Sequence, residues 1–226
     1  MKVSYKNLGT IEYQQAWDYQ EELLQRVIDS REAGAEGSQS GYILLCEHPH
    51  VYTLGRSGSE GNMLVDPVYL KGINATFCRT NRGGDITYHG PGQIVAYPIL
   101  DLGLLAIGVK DYVHALEQAV IDTLLHFGIN SSRLPGASGV WLDVGEQGKE
   151  RKICAIGVRV SRFVTMHGLA LNVNTDLNYF GHINPCGFAT KGVTSMQREL
   201  GGTVDLKMVH SQLRNRLCKV FNLEIE

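Results

Sequence analysis

Two residues of this sequence combine a reactive side chain with a setting that could put it to use: a cysteine in a turn and a lysine in an apolar run. Cys186 lies between Pro185, whose φ is fixed, and Gly187, which tolerates positive φ, so the backbone can hold the thiol clear of the chain. The alternative is an ordinary turn whose cysteine packs as a small hydrophobic residue, because free cysteines are among the most buried residue types.

Lys152 begins a run whose next residues, through Val158, are all apolar or glycine. One interpretation is a strand-end lysine that reaches solvent. The other is a lysine beside a thiol, where as a cation it would favour the thiolate and as a neutral amine it would accept a proton. An unperturbed thiol with a pKa of ~8.5 is only about 3% thiolate at pH 7, so a reactive cysteine needs such a neighbour.

A glycine-rich segment, residues 82–93, is the third candidate for chemistry. Arg82 and His89 supply polar side chains, and four glycines in ten residues (Gly83, Gly84, Gly90 and Gly92) let the backbone approach a ligand with amide hydrogens free to donate. Apolar strand-like runs precede and follow the segment, so we expect a rigid site. A glycine-rich loop alone would be a weak indication of function.

Metal chemistry finds little support in the sequence. His48 and His50 flank Pro49 in a predicted turn, where histidines are more often surface or hydrogen-bonded residues than metal ligands. The eight histidines contain no HExxH pattern and the five cysteines no CxxC pair, so we expect no metal.

Composition restricts the class of protein. The 226 residues are 43% hydrophobic and 19% charged, enough apolar material for one large core. The net charge of −2 argues against a nucleic-acid binder, and no apolar run reaches the ~20 residues that a membrane span requires. An odd number of unpaired-looking cysteines and an N-terminus without a signal-like core predict a cytoplasmic protein with reduced thiols.

The elements that must position these residues follow from hydrophobic periodicity. Helical spacing predicts helices over residues 12–28, 110–127 and 205–221, the second ending at Gly128. Short apolar runs predict strands at 42–46, 75–79, 94–100, 139–142, 152–158 and 168–173, and residues 31–41 read as a loop. Together they predict a single α/β (α+β) domain over residues 1–226, with a mixed sheet of about seven strands flanked by helices.

Four motifs, in this order, resemble those of the lipoyl(octanoyl) transferases, a family also called lipoate-protein ligase B. They are RGGDITYHGPGQ at 82–93, KICAIGVR at 152–159, HGLALNV at 167–173 and PCG at 185–187. The resemblance extends from about Tyr42 to Met196.

The resemblance implies the fold of the biotin and lipoate protein ligase catalytic domain and an acyltransferase that works through a cysteine thioester. It implies that Cys186 is the nucleophile and Lys152 its partner, and that no cofactor is needed. It assigns contacts with the acyl group to three stretches, comprising Arg82, Gly83, Gly84, Asp85, Ile86, Thr87, Tyr88 and His89, then Ala155, Ile156 and Gly157, then Gly168, Leu169 and Ala170. Cys154 receives no catalytic role.

The implied donor is octanoyl-acyl carrier protein, and the implied acceptors are apo-lipoyl domains of 2-oxoacid dehydrogenases and the glycine cleavage H protein. Because such partners are typically acidic, we expect a local basic patch, with candidates Arg56, Arg79, Arg82, Arg159 and Arg162. Two alternatives are an ATP-dependent lipoate or biotin ligase of the same fold, which needs no cysteine nucleophile, and a non-catalytic acyl-binding module.

Overall fold

The computed structural model describes residues 1–33, 41–184 and 191–226. Its strands, in chain order, are β1 (Lys2–Thr10), β2 (Gly41–Glu47), β3 (Val51–Leu54), β4 (Thr76–Arg79), β5 (Ile86–His89), β6 (Gln93–Leu100), β7 (Ser132–Leu134), β8 (Ala137–Leu142), β9 (Arg151–Ser161), β10 (Val164–Asn172), β11 (Gly192–Val193) and β12 (Glu224–Ile225).

The α-helices are α1 (Tyr13–Glu32), α2 (Pro67–Gly72), α3 (Leu102–Leu105), α4 (Val109–His126), α5 (Met196–Leu200) and α6 (Leu206–Phe221). Short 3₁₀ helices span Glu60–Asn62 and Leu177–His182. Several helices begin at an aspartate or serine whose side chain accepts from a first-turn amide, as Asp66, Asp205 and Ser195 do.

A large mixed sheet has the strand order β12-β1-β2-β6-β10-β9-β8-β7, and β11 pairs with β9. The β1–β2, β1–β12 and β9–β11 pairs are parallel and the other pairs are antiparallel. Its two faces are covered by different helices. The apolar positions of α1, including Leu23, Leu24 and Val27, pack on one face, and those of α4 and α6, including Leu116 and Leu213, pack on the other.

A smaller sheet, in the order β4-β3-β5, stands beside the large one. The chain passes from β2 of the large sheet to β3 of the small one through His48, Pro49 and His50, where we expected a change of direction. Tyr52 and Tyr88 fill the core of the small sheet, and the chain returns to the large sheet through β6. The glycine-rich segment, residues 82–93, therefore links the small sheet to the large one.

The three long helices and the predicted strands are confirmed, as is the mixed α/β fold class. Gly128 follows α4 with a φ of 80°, as its predicted place after the helix requires. The predicted loop at 31–41 is wrong at its start, because α1 continues to Glu32, and residues 34–40 lie outside the described ranges.

Six strands of the described residues were not predicted: β1, β3, β5, β7, β11 and β12. In β1 only Val3 is buried, so its hydrophobic pattern carries little signal. Strands β3 and β5 have four residues each and belong to the small sheet, which the sequence did not indicate.

The described residues show the surroundings of four cysteines and of the two histidines at Pro49. They contain no cluster of three histidine, cysteine or acidic side chains suited to a metal ion, and none of their helices combines the length and apolarity needed to cross a membrane. The four cysteines at 46, 78, 154 and 218 are free thiols. His48 and His50 are hydrogen-bonded, His48 to the Ile11 carbonyl (2.7 Å) and His50 to the Tyr88 hydroxyl (2.7 Å).

Candidate active site

A cavity of about 430 Å³ lies over the central strands β9 and β10. Small residues form its floor and leave space above the sheet. They face one another across the two strands: Gly157 pairs with Gly168, and Ala155 with Ala170. Strand β6, the glycine-rich segment and the β7–β8 hairpin contribute the walls. The cavity is thus bounded by both sheets.

Lys152 lines this cavity because β9 contains a β-bulge. Trp141 of β8 pairs with Lys152, but the preceding residue Val140 pairs with Cys154, so Ile153 is an extra residue on β9. Ile153 and Cys154 are both buried in the core beneath α4 and α6, whereas the residues on either side of them, Lys152 and Ala155, line the cavity. The bulge re-aims the lysine from one face of the sheet to the other.

The surroundings of Lys152 lower its pKa. Its ammonium lies 4.6 Å from the centroid of the Trp141 ring, a cation–π arrangement. Burial, which penalises the charged amine, lowers the pKa of Lys152 to about 8. This lysine therefore changes its charge near pH 8, and its half-buried side chain lies in the cavity wall instead of extending freely into solvent.

Cys154 is directed away from the cavity. Its side chain is fully buried in the core, and burial raises the pKa of its thiol. A neutral, inaccessible thiol is a poor nucleophile, in agreement with the absence of a catalytic role for Cys154.

Cys186 lies outside the described residues, so its role remains a prediction from the sequence. The described residues that flank residues 185–190, Asn184 and Lys191, both line the cavity. Lys191 forms an ion pair with Glu150. After it, β11 pairs with β9 through Val193 and Lys152, and the Thr194 amide donates to the Lys152 carbonyl at 2.9 Å.

Most of the residues assigned to acyl binding surround the same cavity: Arg82, Gly84, Asp85, Ile86, Thr87, His89, Ala155, Ile156, Gly157, Gly168, Leu169 and Ala170. Gly83 and Tyr88 do not line it. The Gly83 amide donates to the Val158 carbonyl at 2.9 Å, and the Tyr88 side chain belongs to the core of the small sheet. Their contact with an acyl group finds no support in this geometry.

The glycines serve the packing of the chain more than the approach of a ligand. A Cβ on Gly157 would lie 2.8 Å from the Gly83 carbonyl oxygen, and one on Gly168 would collide with the Ala96 carbonyl oxygen. The expectation of free amides is wrong for Gly83 and for Gly92, whose amide donates to the Glu47 carboxylate at 2.7 Å. Glycine here lets neighbouring backbones meet.

Arg82 is a buried cation in the cavity wall. It is 7% exposed, and its guanidinium donates to the Thr53 carbonyl (2.6 Å), the Thr53 hydroxyl and the Gly83 carbonyl (2.9 Å). Arg82 is therefore wrong as a member of a surface basic patch. It clamps the glycine-rich segment to β3.

Of the other basic candidates, three are paired with glutamates. Arg79 contacts Glu60, Arg159 contacts Glu21 at 2.7 Å, and Arg162 lies 3.6 Å from Glu32. Arg56 is exposed next to the glycine-rich segment, and its amide donates to the Arg82 carbonyl at 2.9 Å. The patch remains a prediction, weaker than the sequence indicated.

A network of buried polar side chains forms another part of the cavity wall. His89 shares a hydrogen bond of 2.8 Å with the Gln93 side-chain oxygen, and the Gln93 amide donates to Asn172 at 2.9 Å. Asn172 in turn donates to the Thr194 carbonyl at 3.0 Å. The network thus connects the glycine-rich segment with the segment that follows residues 185–190.

His89 and His167 of this wall, and His48 buried behind it, are neutral at physiological pH. Burial lowers the pKa of His48 to about 4 and that of His167 to about 3, and it holds the pKa of His89 well below its usual range. The nearby Arg82 cation lowers the pKa values of His89 and His167 further.

Sequence reasoning missed several lining residues, among them Tyr13, Tyr97, Trp141 and Phe180. The predicted strand at 139–142 contained Trp141, but nothing in its pattern showed which face the ring would take. Tyr13 comes from the first turn of α1, and only the tertiary fold brings it to the cavity.

A family model described as the lipoyl protein ligase A/B catalytic domain matches residues 12–218. The chain is 52% identical over 217 residues to an octanoyltransferase from Bacteroides fragilis, covering 96% of this chain and 97% of the relative. It is 50% identical over 230 residues to an octanoyltransferase from Christiangramia forsetii, covering 100% and 98%.

Among solved structures, a chain from the structure of a bi-partite lipoate protein ligase and its E2 lipoyl domain from Thermoplasma acidophilum has a TM-score of 0.71. It is 16% identical, and the match covers 100% of this chain and 86% of that one. The predicted ligase-like fold is confirmed.

Proposed function

This chain belongs to the lipoyl(octanoyl) transferase family and is an acyltransferase, and we propose that its reaction proceeds through a thioester on Cys186. In this reaction an octanoyl group moves from acyl carrier protein to a lysine of apo-lipoyl domains. The acceptors in this proposal are lipoyl domains of 2-oxoacid dehydrogenases and the glycine cleavage H protein. The transfer needs no ATP and no cofactor, residues 1–226 act as one catalytic domain, and the reaction takes place in the cytoplasm.

The observation that supports the proposal most is the set of residues that line one cavity. Lys152 lines it with a pKa lowered to about 8, the small-residue floor at Gly157 and Gly168 deepens it, and Asn184 and Lys191 bring the ends of the Cys186 segment to its wall. The lysine that would take part in the chemistry therefore lies next to a slot that could hold an acyl chain.

In the first half-reaction, the Cys186 thiol gives up its proton and its sulfur attacks the carbonyl carbon of the donor thioester. The carbon–sulfur bond to the carrier breaks, and the carrier's thiolate leaves and takes up a proton. With a pKa of about 8, Lys152 is about 90% ammonium at pH 7, and a cation favours the attacking thiolate.

In the second half-reaction, the acceptor's amine attacks the Cys186 thioester and must lose a proton. An ordinary lysine with a pKa of ~10.4 is almost never neutral at pH 7, whereas Lys152 is neutral about one time in ten. The neutral Lys152 amine accepts the proton, the amide bond forms, and the Cys186 thiolate leaves. One residue thus serves both steps in two protonation states.

The slot supplies part of the binding energy for the acyl chain. Burial of roughly six methylenes contributes about 5 kcal/mol at ~0.8 kcal/mol each. Ala155 and Ala170 leave room above the sheet, which larger side chains would fill. Discrimination between neighbouring chain lengths is modest, because one methylene contributes only a few kcal/mol at most.

The test is to incubate the protein with octanoyl-acyl carrier protein without ATP and to follow its mass. We expect one octanoyl adduct, which peptide mapping locates on Cys186 and which apo-lipoyl domain removes. Cys186→Ser serves as the matched variant, because it keeps the size of the side chain but removes the thiol nucleophile.

Two results would contradict the proposal. Octanoylation of the apo-lipoyl domain that requires octanoate and ATP, without a covalent adduct on this protein, would identify an ATP-dependent ligase of the same fold. Tight octanoyl binding without any covalent adduct, unchanged in Cys186→Ser, would identify an acyl-binding module.

A further inference from the structure

The bulge that directs Lys152 into the cavity is in direct contact with a glycine on the neighbouring strand. Gly139 of β8 has a φ of 109°, a conformation that L side chains rarely adopt. A Cβ at this position would lie 2.5 Å from the Cys154 carbonyl oxygen and 3.6 Å from Cε of Lys152. The backbone of β8 therefore supports both the bulge and the stem of the lysine.

The Gly139 amide donates a hydrogen bond to a buried carboxylate of helix α4, which packs on the face of the large sheet away from the cavity. Glu117 of α4 is 3% exposed, and its Oε1 accepts the Gly139 amide hydrogen at 3.0 Å. Its Oε2 accepts from Nε of Arg133 at 2.9 Å, and Arg133 also donates to the His114 carbonyl at 2.8 Å. A buried carboxylate is costly unless it is paired, and here both oxygens have charged or backbone donors.

We propose that Glu117 and Gly139 are positioning residues for Lys152: the Glu117 carboxylate fixes the Gly139 amide, and Gly139 holds the bulge at Ile153 and Cys154 that directs Lys152 into the cavity. This inference rests on the proposed function of Lys152 and names the residues that its placement requires. Neither Glu117 nor Gly139 lines the cavity, so neither touches the substrate.

The placement matters because it also sets the protonation of Lys152. Burial is the main cause of the lowered pKa of Lys152. Without the bulge, the period-two alternation of β9 would turn Lys152 to the face of Cys154. A relaxed bulge would let the amine reach water and return towards its usual pKa.

The experiment measures the pH dependence of Lys152 labelling by an amine-specific acylating reagent, by peptide mass spectrometry on the full chain. In the parent we expect a midpoint near pH 8. In Gly139→Ala we expect the midpoint to rise by about one unit or more, and kcat for octanoyl transfer to fall ~10–100-fold with KM for the donor little changed.

Gly128→Ala is the matched control. Gly128 also has a positive φ (80°), but a Cβ there meets nothing within 4 Å. The control places alanine at a positive φ, 80° against 109° at Gly139, without the collision, so its thermal unfolding shift reports the cost of positive φ alone. We expect its labelling midpoint and kcat to equal those of the parent.

Glu117→Met is the second variant, and its result applies even if Gly139→Ala does not fold. Methionine is close to Glu117 in length, but its side chain offers no oxygen to accept a hydrogen bond from Gly139 or Arg133. We expect a smaller rise of the midpoint, about half a unit, and a fall in kcat of several-fold.

An unchanged midpoint in a folded Gly139→Ala, or in Glu117→Met, would overturn the inference, even if Lys152 proves essential for transfer. Conversely, full activity of Lys152→Met would contradict the proposed function and leave the positioning intact, because the midpoint is read on Lys152 itself. The two failures are therefore distinguishable.

Discussion

The cavity has two chemically different regions, and the same physical effect acts on both. At one end Lys152 lies against Trp141, and burial brings its pKa down to about 8. At the other, His89 and His167 line the cavity with Tyr13 and Tyr97, and His48 packs behind them with its ring centroid 5.9 Å from that of His89. Burial takes the pKa values of all three histidines far below the physiological range.

The difference lies in the starting values. A lysine begins near 10.4, so desolvation moves its titration towards neutral pH, whereas a histidine begins near 6.5 and is moved away from it. In this protein the histidines are therefore fixed, neutral hydrogen-bonding groups. The lysine is the side chain that burial makes available for proton transfer.

The strongest test of this contrast is Lys152→Met, which removes the amine but retains an unbranched side chain. We expect the rate of octanoyl transfer at pH 7 to fall ~10²–10⁴-fold, the usual range for loss of a general acid–base group. Lys149→Met is the control, because Lys149 is exposed and pairs with Glu146. Equal activity of Lys152→Met and the parent would show that the buried lysine does not take part in proton transfer.

The buried histidines should make the free energy of unfolding depend on pH between about 6.5 and 4. Folded His48 has a pKa of about 4, below the unfolded value of ~6.5, so the unfolded chain binds more protons between these values. Stability is full above pH 6.5 and falls as the pH drops towards 4, by on the order of 3 kcal/mol for His48.

Urea unfolding of the parent and His48→Gln between pH 7 and 4.5 checks this prediction. We expect a shallower loss of stability in the variant, since glutamine does not titrate. The exposed His114 provides the control His114→Gln, which we expect to follow the parent. Parallel curves for parent and His48→Gln would show that His48 does not contribute.

A third variant concerns the slot between the two regions. Ala155→Leu adds three carbons above the sheet, and we expect transfer of octanoyl to fall relative to butanoyl by about 10–50-fold, at ~0.8 kcal/mol per displaced methylene. Competition between the two acyl-carrier donors measures the ratio. An equal fall for both chain lengths would mean that Ala155 does not contact the acyl chain.

The smallest expected effect belongs to the surface. Arg56→Ala should raise KM for the acidic carrier donor about 2–5-fold at low salt, and the difference should disappear at high salt as screening increases. Lys207→Ala, an exposed cation on α6, is the control. If both variants behave like the parent at low salt, carrier protein does not dock near Arg56.

Much of the fold was predictable, because α1, α4 and α6 carry clear helical periodicity and β2 and β6 are nearly continuous apolar runs. Strand β1 was not, because it buries only Val3 and is held by backbone pairing to β2. Short strands such as β3 fall below the length at which periodicity is informative.

The site shows a different limit. The structure places Lys152 and most of the residues that the motifs singled out around one cavity, with Gly83 and Tyr88 outside its lining, but the motifs could not show the orientation of the lysine. A plain strand would place Lys152 and Cys154 on the same face, and the inserted residue Ile153 separates them. Gly157 and Gly168 line the cavity, and a Cβ on either would also meet a neighbouring backbone carbonyl oxygen, a second constraint that only tertiary contacts reveal.

The most direct test of the central claim is the pH dependence of the second half-reaction alone. In isolated octanoyl-enzyme the Cys186 sulfur is blocked and does not titrate, so a single-turnover mix with apo-lipoyl domain reports on the base. We predict a rise in rate with a midpoint near pH 8 that disappears in Lys152→Met. A midpoint near pH 8 that persists in Lys152→Met would contradict the account.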